Sequence, residues 1–214
     1  FHCSRADRTA AIASEGWDSG KWDAGYVQSV PNVFVISGEK LLFYYAATAG
    51  NTNRLEIGGF CCDLNGCYDQ GASGVAVLRR DGFASLRPKV GAVQGEIVTR
   101  PLRFSGCRLF VNADVKGGEL LTEVLDENGR PVPGYTASES VAFSGDSVKA
   151  PISWKGTDDL SPLSGRNVRF RFIVKGAAVN EGDFYSFWVS RSARGESGGY
   201  LGGGGPAYKS IRDE

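Results

Sequence analysis

Two aspartates and three aromatic rings crowd one segment, GWDSGKWDAGY, which holds Asp18 and Asp23 beside Trp17, Trp22 and Tyr26. Rings of this kind stack on pyranose faces while carboxylates bind hydroxyls, so the residue types are those of a sugar contact. Cleaving a glycosidic bond asks for more: two carboxyl groups facing each other about 5 to 10 Å apart. The plainer role, a loop with buried tryptophans and turn-forming aspartates, fits the same residues and carries more weight than catalysis. Further along, Arg79 and Arg80 lead into Asp81-Gly82. Their planar guanidinium groups could grip an acidic sugar or a sulfate, although solvated charges at a hairpin turn explain them more simply. The carbohydrate-contact candidates are thus Trp17, Asp18, Trp22, Asp23, Tyr26, Arg79 and Arg80.

Other chemistries fall away. His2 is the one histidine, so Ser-His-Asp or Cys-His catalysis would have to rest on a residue at the very start of the sequence. No phosphate-binding loop occurs, and GGYLGGGGP lacks the flanking strand and helix of a dinucleotide site. DLNGCYD lacks a glycine at the sixth position and the closing glutamate of an EF-hand. No cofactor, metal or catalytic residue is expected from the chain itself. Of the five cysteines, Cys61, Cys62 and Cys67 lie within GGFCCDLNGCYDQ. A short loop closed by Cys61 or Cys62 with Cys67 is the natural reading and suits an oxidising compartment. Zinc would need about four ligands, and too few stand nearby. An odd cysteine count leaves at least one thiol over; Cys107 in FSGCRLF is the candidate, with bridges to Cys3 or Cys61 as the alternatives.

The 214 residues are 42% hydrophobic and 22% charged, enough for a packed core and too apolar for disorder. Basic and acidic residues balance at 24 each, so no long-range field draws the chain to nucleic acid or to an anionic membrane. Apolar runs fall well short of the roughly 18 residues that span a bilayer. No methionine occurs and the chain opens on FHCSRADR, which reads as a piece of a longer protein.

The elements that must position these residues are strands. VPNVFVISGEKLLFYYAATAG reads as strand, Gly-Glu turn, strand, and SGVAVLRRDGFASL as a hairpin about Asp81-Gly82. Four antiparallel strands are about what one propeller blade needs. From residue 91 onward seven strands follow: Glu96–Phe104, Cys107–Ala113, Glu119–Asp126, Ser140–Phe143, Val148–Trp154, Asn167–Val174 and Phe184–Val189. In VRFRFIV the apolar Val168, Phe170, Phe172 and Val174 share one face, and Arg169 and Arg171 the other. Trp154 and Trp188 read as core, and Arg100 as structural. Seven strands at this spacing suit a β-sandwich. The glycine-rich tail bears Tyr200, Leu201, Pro206 and Tyr208, which give it something to dock with.

The stretches WDAGYVQS, KLLFYYAATAGN, GVAVLRRDGFASL, TRPLRFSG, LFVNADVKGGELLTEVLDENGRPVPGY, VRFRFIVKGA and FYSFWVS resemble the C-terminal part of secreted five-bladed-propeller proteins of the glycoside hydrolase family 32-like or 43-like kind. The resemblance spans nearly the whole chain and departs at CCDLNGCYDQ and at Cys107. It implies an all-β protein: a last propeller blade over 1–90, a β-sandwich over 91–190, and a tail over 191–214 packed on the body. It also implies that any catalytic acids lie in earlier blades. The expectation is a non-catalytic, secreted or cell-surface region that supports those upstream blades and contacts carbohydrate. The alternatives are a structural subunit of an extracellular fibril or surface assembly, joined through the tail or Cys107, and a part of an active glycosidase. Neither nucleic acid nor membrane is an expected partner.

Overall fold

The computed structural model describes residues 12–13, 19–24, 26–49, 71–176 and 182–199. Antiparallel strands dominate them, with a 3-10 turn at Ser161–Leu163. Cys3, Trp17, Asp18, Cys61, Cys62 and Cys67 lie outside the described residues, as do Tyr200 to Tyr208 of the tail. The chain divides into two compact units, Phe1–Leu78 and Arg79–Glu214.

The first unit holds one sheet in the order β1 (Tyr26–Ser37), β2 (Lys40–Thr48), β3 (Gly71–Arg79). Its first two strands are the hairpin read from VPNVFVISGEKLLFYY, with Gly38 and Glu39 as the two-residue turn between paired Ser37 and Lys40. The register slips between Ser29 and Phe34. Pro31, which has no N–H to give a ladder, sits in that slip.

The second unit has two sheets. One orders β4 (Gln94–Val98), β8 (Val168–Lys175) and β6 (Glu119–Asp126); the other orders β7 (Asp146–Ile152), β5 (Arg108–Asp114) and β9 (Asp183–Ser190). One hydrophobic cluster joins them, with Leu109 and Val111 from β5, Leu120 and Val124 from β6, and Phe170 and Phe172 from β8. Ring centroids of Phe172 and Phe184 stand 4.5 Å apart, and those of Phe172 and Phe187 5.0 Å, so aromatic side chains of β8 and β9 meet between the sheets. Each such side chain fully removed from water contributes about 1.5–3 kcal/mol. Trp154 also belongs to this core, 3% exposed, and its indole N–H donates to the Thr122 carbonyl at 2.9 Å.

Three expectations change. Asp81 takes a left-handed turn (φ 53°), yet the residues after it do not return along β3. Leu86 exchanges both backbone hydrogen bonds with Phe184 of β9, at 2.8 and 2.9 Å, and Ser85 and Arg87 both bond Asp183. Backbone pairing and charge together draw this arm to β9, so the turn makes no hairpin. Trp188 is not core. The register between β5 and β9 slips by one residue near Tyr185, which turns Phe187 and Val189 inward beside Phe184 and leaves Trp188 on the outer face. Arg100 is exposed, and among the described residues no ion pair holds it.

Candidate functional site

Trp22 and Asp23 sit in a tight turn, closed by Ala24 N–H on the Lys21 carbonyl at 3.3 Å, just ahead of β1. Asp23 is half-buried and Trp22 remains 39% exposed. The indole lies 5.6 Å from the Tyr45 ring on β2, tilted by 30°. Gly74 of β3 makes room for Tyr45: a β-carbon there would come within 2.5 Å of the phenol ring. Tyr26 opens β1 and pairs through its backbone with Thr48. An exposed indole braced by a second ring, with one carboxylate beside it, has the parts of a sugar-stacking platform. Trp17 and Asp18, the other half of the cluster, lie outside the described residues.

The arginines behave differently from each other. Arg79 does not offer its guanidinium to an external anion. Nε donates to Asn112 Oδ1 at 2.6 Å, Nη2 to the Ala113 carbonyl at 3.3 Å, and Nη1 pairs with Asp146. The same group lies 4.9 Å above the Tyr185 ring centre. Arg80 is half-buried, and its carbonyl accepts from the Asn112 amide at 2.8 Å. Asn112 is 1% exposed, so the turn at Asp81 is pinned to the middle of β5 by a buried amide.

Composition and periodicity did not reveal what lies around Arg79. Asp114, at the end of β5, is flanked across both ladders by Asp146 of β7 and Asp183 of β9. Three carboxylates in a row repel one another unless paired, and cations answer each. Lys116 reaches Asp146 at 2.8 Å and Asp114 at 3.5 Å, and Arg87 forks onto Asp183 at 2.7 and 3.0 Å. Burial pushes the Asp146 carboxyl up, but hydrogen bonds and charge from Lys116 and Arg79 outweigh it and hold the group below its ordinary range. Asp183 follows the same pattern, burial opposed and overcome by Arg87 and Ser85. Both stay ionised at neutral pH, so neither has a proton to give as a general acid. The Tyr185 hydroxyl is shifted up by burial and by the Asp183 carboxylate. The signal that could have exposed this row is the recurrence of Asp at strand ends, in VNAD, SGDSV and EGDF.

Arg171 carries a similar duty on the outer face of the other sheet. From central β8 it bonds Glu96 of β4 at 2.8 Å and Glu123 of β6 at 3.0 Å, which ties three strands together. Cys107 is a free thiol whose Sγ lies 3.3 Å from the Arg191 carbonyl; Cys3 and Cys61 lie outside the described residues. Among the described residues no three His, Cys, Asp or Glu side chains gather to hold a metal ion. No helix there is long and apolar enough to cross a membrane.

Comparison of the chain with protein-family models, with curated proteins and with solved structures finds no match.

Proposed function

We propose that the chain is a non-catalytic supporting region of a secreted or cell-surface protein of the glycoside-hydrolase-like propeller kind, with a carbohydrate contact at Trp22. In this reading the sheet β1-β2-β3 is a blade and the two-sheet unit is a β-sandwich that follows it.

The observation that carries the reading is the uncovered side of the first sheet. Gly74 lies against Tyr45, so the alternation of strands puts Val75 and Val77 on the opposite face, with Tyr44 of β2 and Val35 of β1. Val77 is 58% exposed and Val75 48%, with Val35 and Tyr44 close behind. A sheet apolar on both sides is built to be layered on both sides, as blades are. The partner that covers this face is a neighbouring blade. The charge-paired aspartates of the second unit supply stiffness rather than acid–base chemistry, which accords with a supporting role.

A glycan array probed with the whole chain tests the proposal. Binding to at least one oligosaccharide, lost on Trp22→Ala and accompanied by no release of reducing ends, is the expected result. Absence of binding to every glycan, or equal binding by Trp22→Ala, overturns the sugar contact. Covering of the apolar face has its own readout. The chain should bind a hydrophobic dye such as anilinonaphthalene sulfonate, and Val75→Lys with Val77→Lys should remove that binding; a chain that binds no dye sinks the blade reading.

A further inference from the structure

The two sheets of the second unit treat their edges unequally. At the β6 edge every outward backbone group from Leu120 to Val124 has a partner. Leu120 exchanges both bonds with Phe143, Thr122 N–H donates to Ser140 Oγ at 3.0 Å, and the Thr122 carbonyl accepts the Trp154 indole. Val124 N–H donates to the Tyr135 carbonyl and its own carbonyl accepts from Val132. At the β9 edge Leu86 pairs with Phe184.

Among the described residues the β4 edge is open. Thr99 N–H donates to Phe170 and Gly176 N–H to Val93, so the odd-numbered residues of β4 face β8. The N–H and C=O of Gln94, Glu96 and Val98 therefore point away from the sheet, and they find no hydrogen-bond partner among the described residues. They give onto a groove of about 550 Å³ whose walls include Leu86, Pro88, Ala92, Ile97 and Val174. Pro88 packs over Gly95, where a β-carbon would come within 3.0 Å of it, and so holds the far wall in place.

We propose that this groove accepts an extended polypeptide strand from another protein, which adds to β4. Alternating N–H and C=O groups at strand spacing are matched by another peptide backbone and by little else. The apolar wall below takes every second side chain of the incoming strand. Proline, one of the usual guards of an edge, is absent from β4, and its one charge, Glu96, is drawn sideways to Arg171. Lys89 on the rim is exposed and favours an acidic residue in the partner. The inference does not depend on the propeller reading, since it concerns the second unit alone.

Amide hydrogen exchange on the whole chain tests it, with an acetylated heptapeptide that alternates valine and threonine and ends in aspartate as the probe. In the free chain the amides of Gln94, Glu96 and Val98 should exchange fast while those of Gly95 and Ile97 are protected. The heptapeptide should slow the first set. Its counterpart, N-methylated on the residues that face β4, should bind at least about tenfold more weakly, a difference of about 1.4 kcal/mol. Val98→Pro removes one outward donor and no bond to β8, and should abolish the effect. Exchange unchanged at millimolar heptapeptide, or equal binding of the methylated counterpart, overturns the proposal. Protection of the three amides in the free monomer would assign the groove to this chain's own backbone, and protection that grows with protein concentration would assign it to a second copy; both overturn it.

Discussion

At the scale of single residues, a core position can be apolar in volume and polar in chemistry. Thr122 is fully buried on β6 and its hydroxyl has no hydrogen-bond partner, although its backbone N–H and carbonyl are both engaged. An unpaired buried hydroxyl costs about 1–3 kcal/mol in lost hydration. Valine has nearly the same shape without that cost and a better fit to a strand. Thr122→Val should therefore raise the stability of the second unit by about 1 kcal/mol, read as a shift of the urea midpoint with an unchanged slope. A fall in the midpoint would mean that a buried water satisfies the hydroxyl. Arg79 teaches the converse. Two arginines before an Asp-Gly turn look alike in the sequence, and burial decides that one is a bracket for Asn112 and Asp146. Sequence patterns do not carry partners that lie on other strands.

At the scale of elements, legibility followed the regularity of alternation. Glu119–Asp126 has the bounds read from ELLTEVLD because a Gly-Gly turn opens the run and an Asn-Gly turn closes it. β8 keeps its apolar and arginine faces as Val168, Phe170, Phe172 and Val174 imply. β9 was misread because a one-residue slip near Tyr185 swaps the phase, and a period-2 pattern has no memory across a slip. The Trp188 ring thus leaves the core, stacks on Phe110 at 5.8 Å, and is met by the turn at Gly195. Its indole N–H donates to the Gly195 carbonyl at 3.0 Å, and Lys149 Nζ bonds the Arg194 carbonyl at 2.9 Å. Gly195 has φ 75°, and a β-carbon on it would stand 2.8 Å from the Phe110 ring. Gly195→Ala should cost about 1–3 kcal/mol, from left-handed strain and overpacking together. Red-shifted tryptophan emission should accompany the loss, as the turn lifts from Trp188. An alanine variant with wild-type stability and emission would mean that the turn is not seated as described. The candidate site was legible as a cluster of residue types around Trp22, whereas the brace from Tyr45 and the space left by Gly74 depend on strand pairing that no local pattern encodes.

At the scale of the molecule, charge is balanced to zero overall yet arranged in pairs, and the pairs set the acid limit. The carboxyls of Asp146 and Asp183 are held below their ordinary range in the folded chain. Their stabilising contribution is then complete above the unfolded values, near pH 4, and is lost as pH falls through the lower folded ones. On the alkaline side, Lys116 is shifted up by Asp146, and Tyr135 and Tyr185 are shifted up by burial. Those contributions are complete below about pH 10 and are lost above it. With one histidine in the chain, the urea midpoint should stay level from about pH 5 to 9 and fall below about pH 4. A decline between pH 7 and 5 would refute this assignment of the charges. The pairing of β5 with β9 has a further consequence, for the timing of folding. β5 is the central strand of its sheet, and β9 is the last strand described; β4 likewise waits for β8. Neither three-stranded sheet can be completed before its latest strand, β8 in one and β9 in the other, has been made. High contact order of this kind slows folding, so the hydrophobic faces of the early strands of the second unit wait uncovered until those later strands arrive.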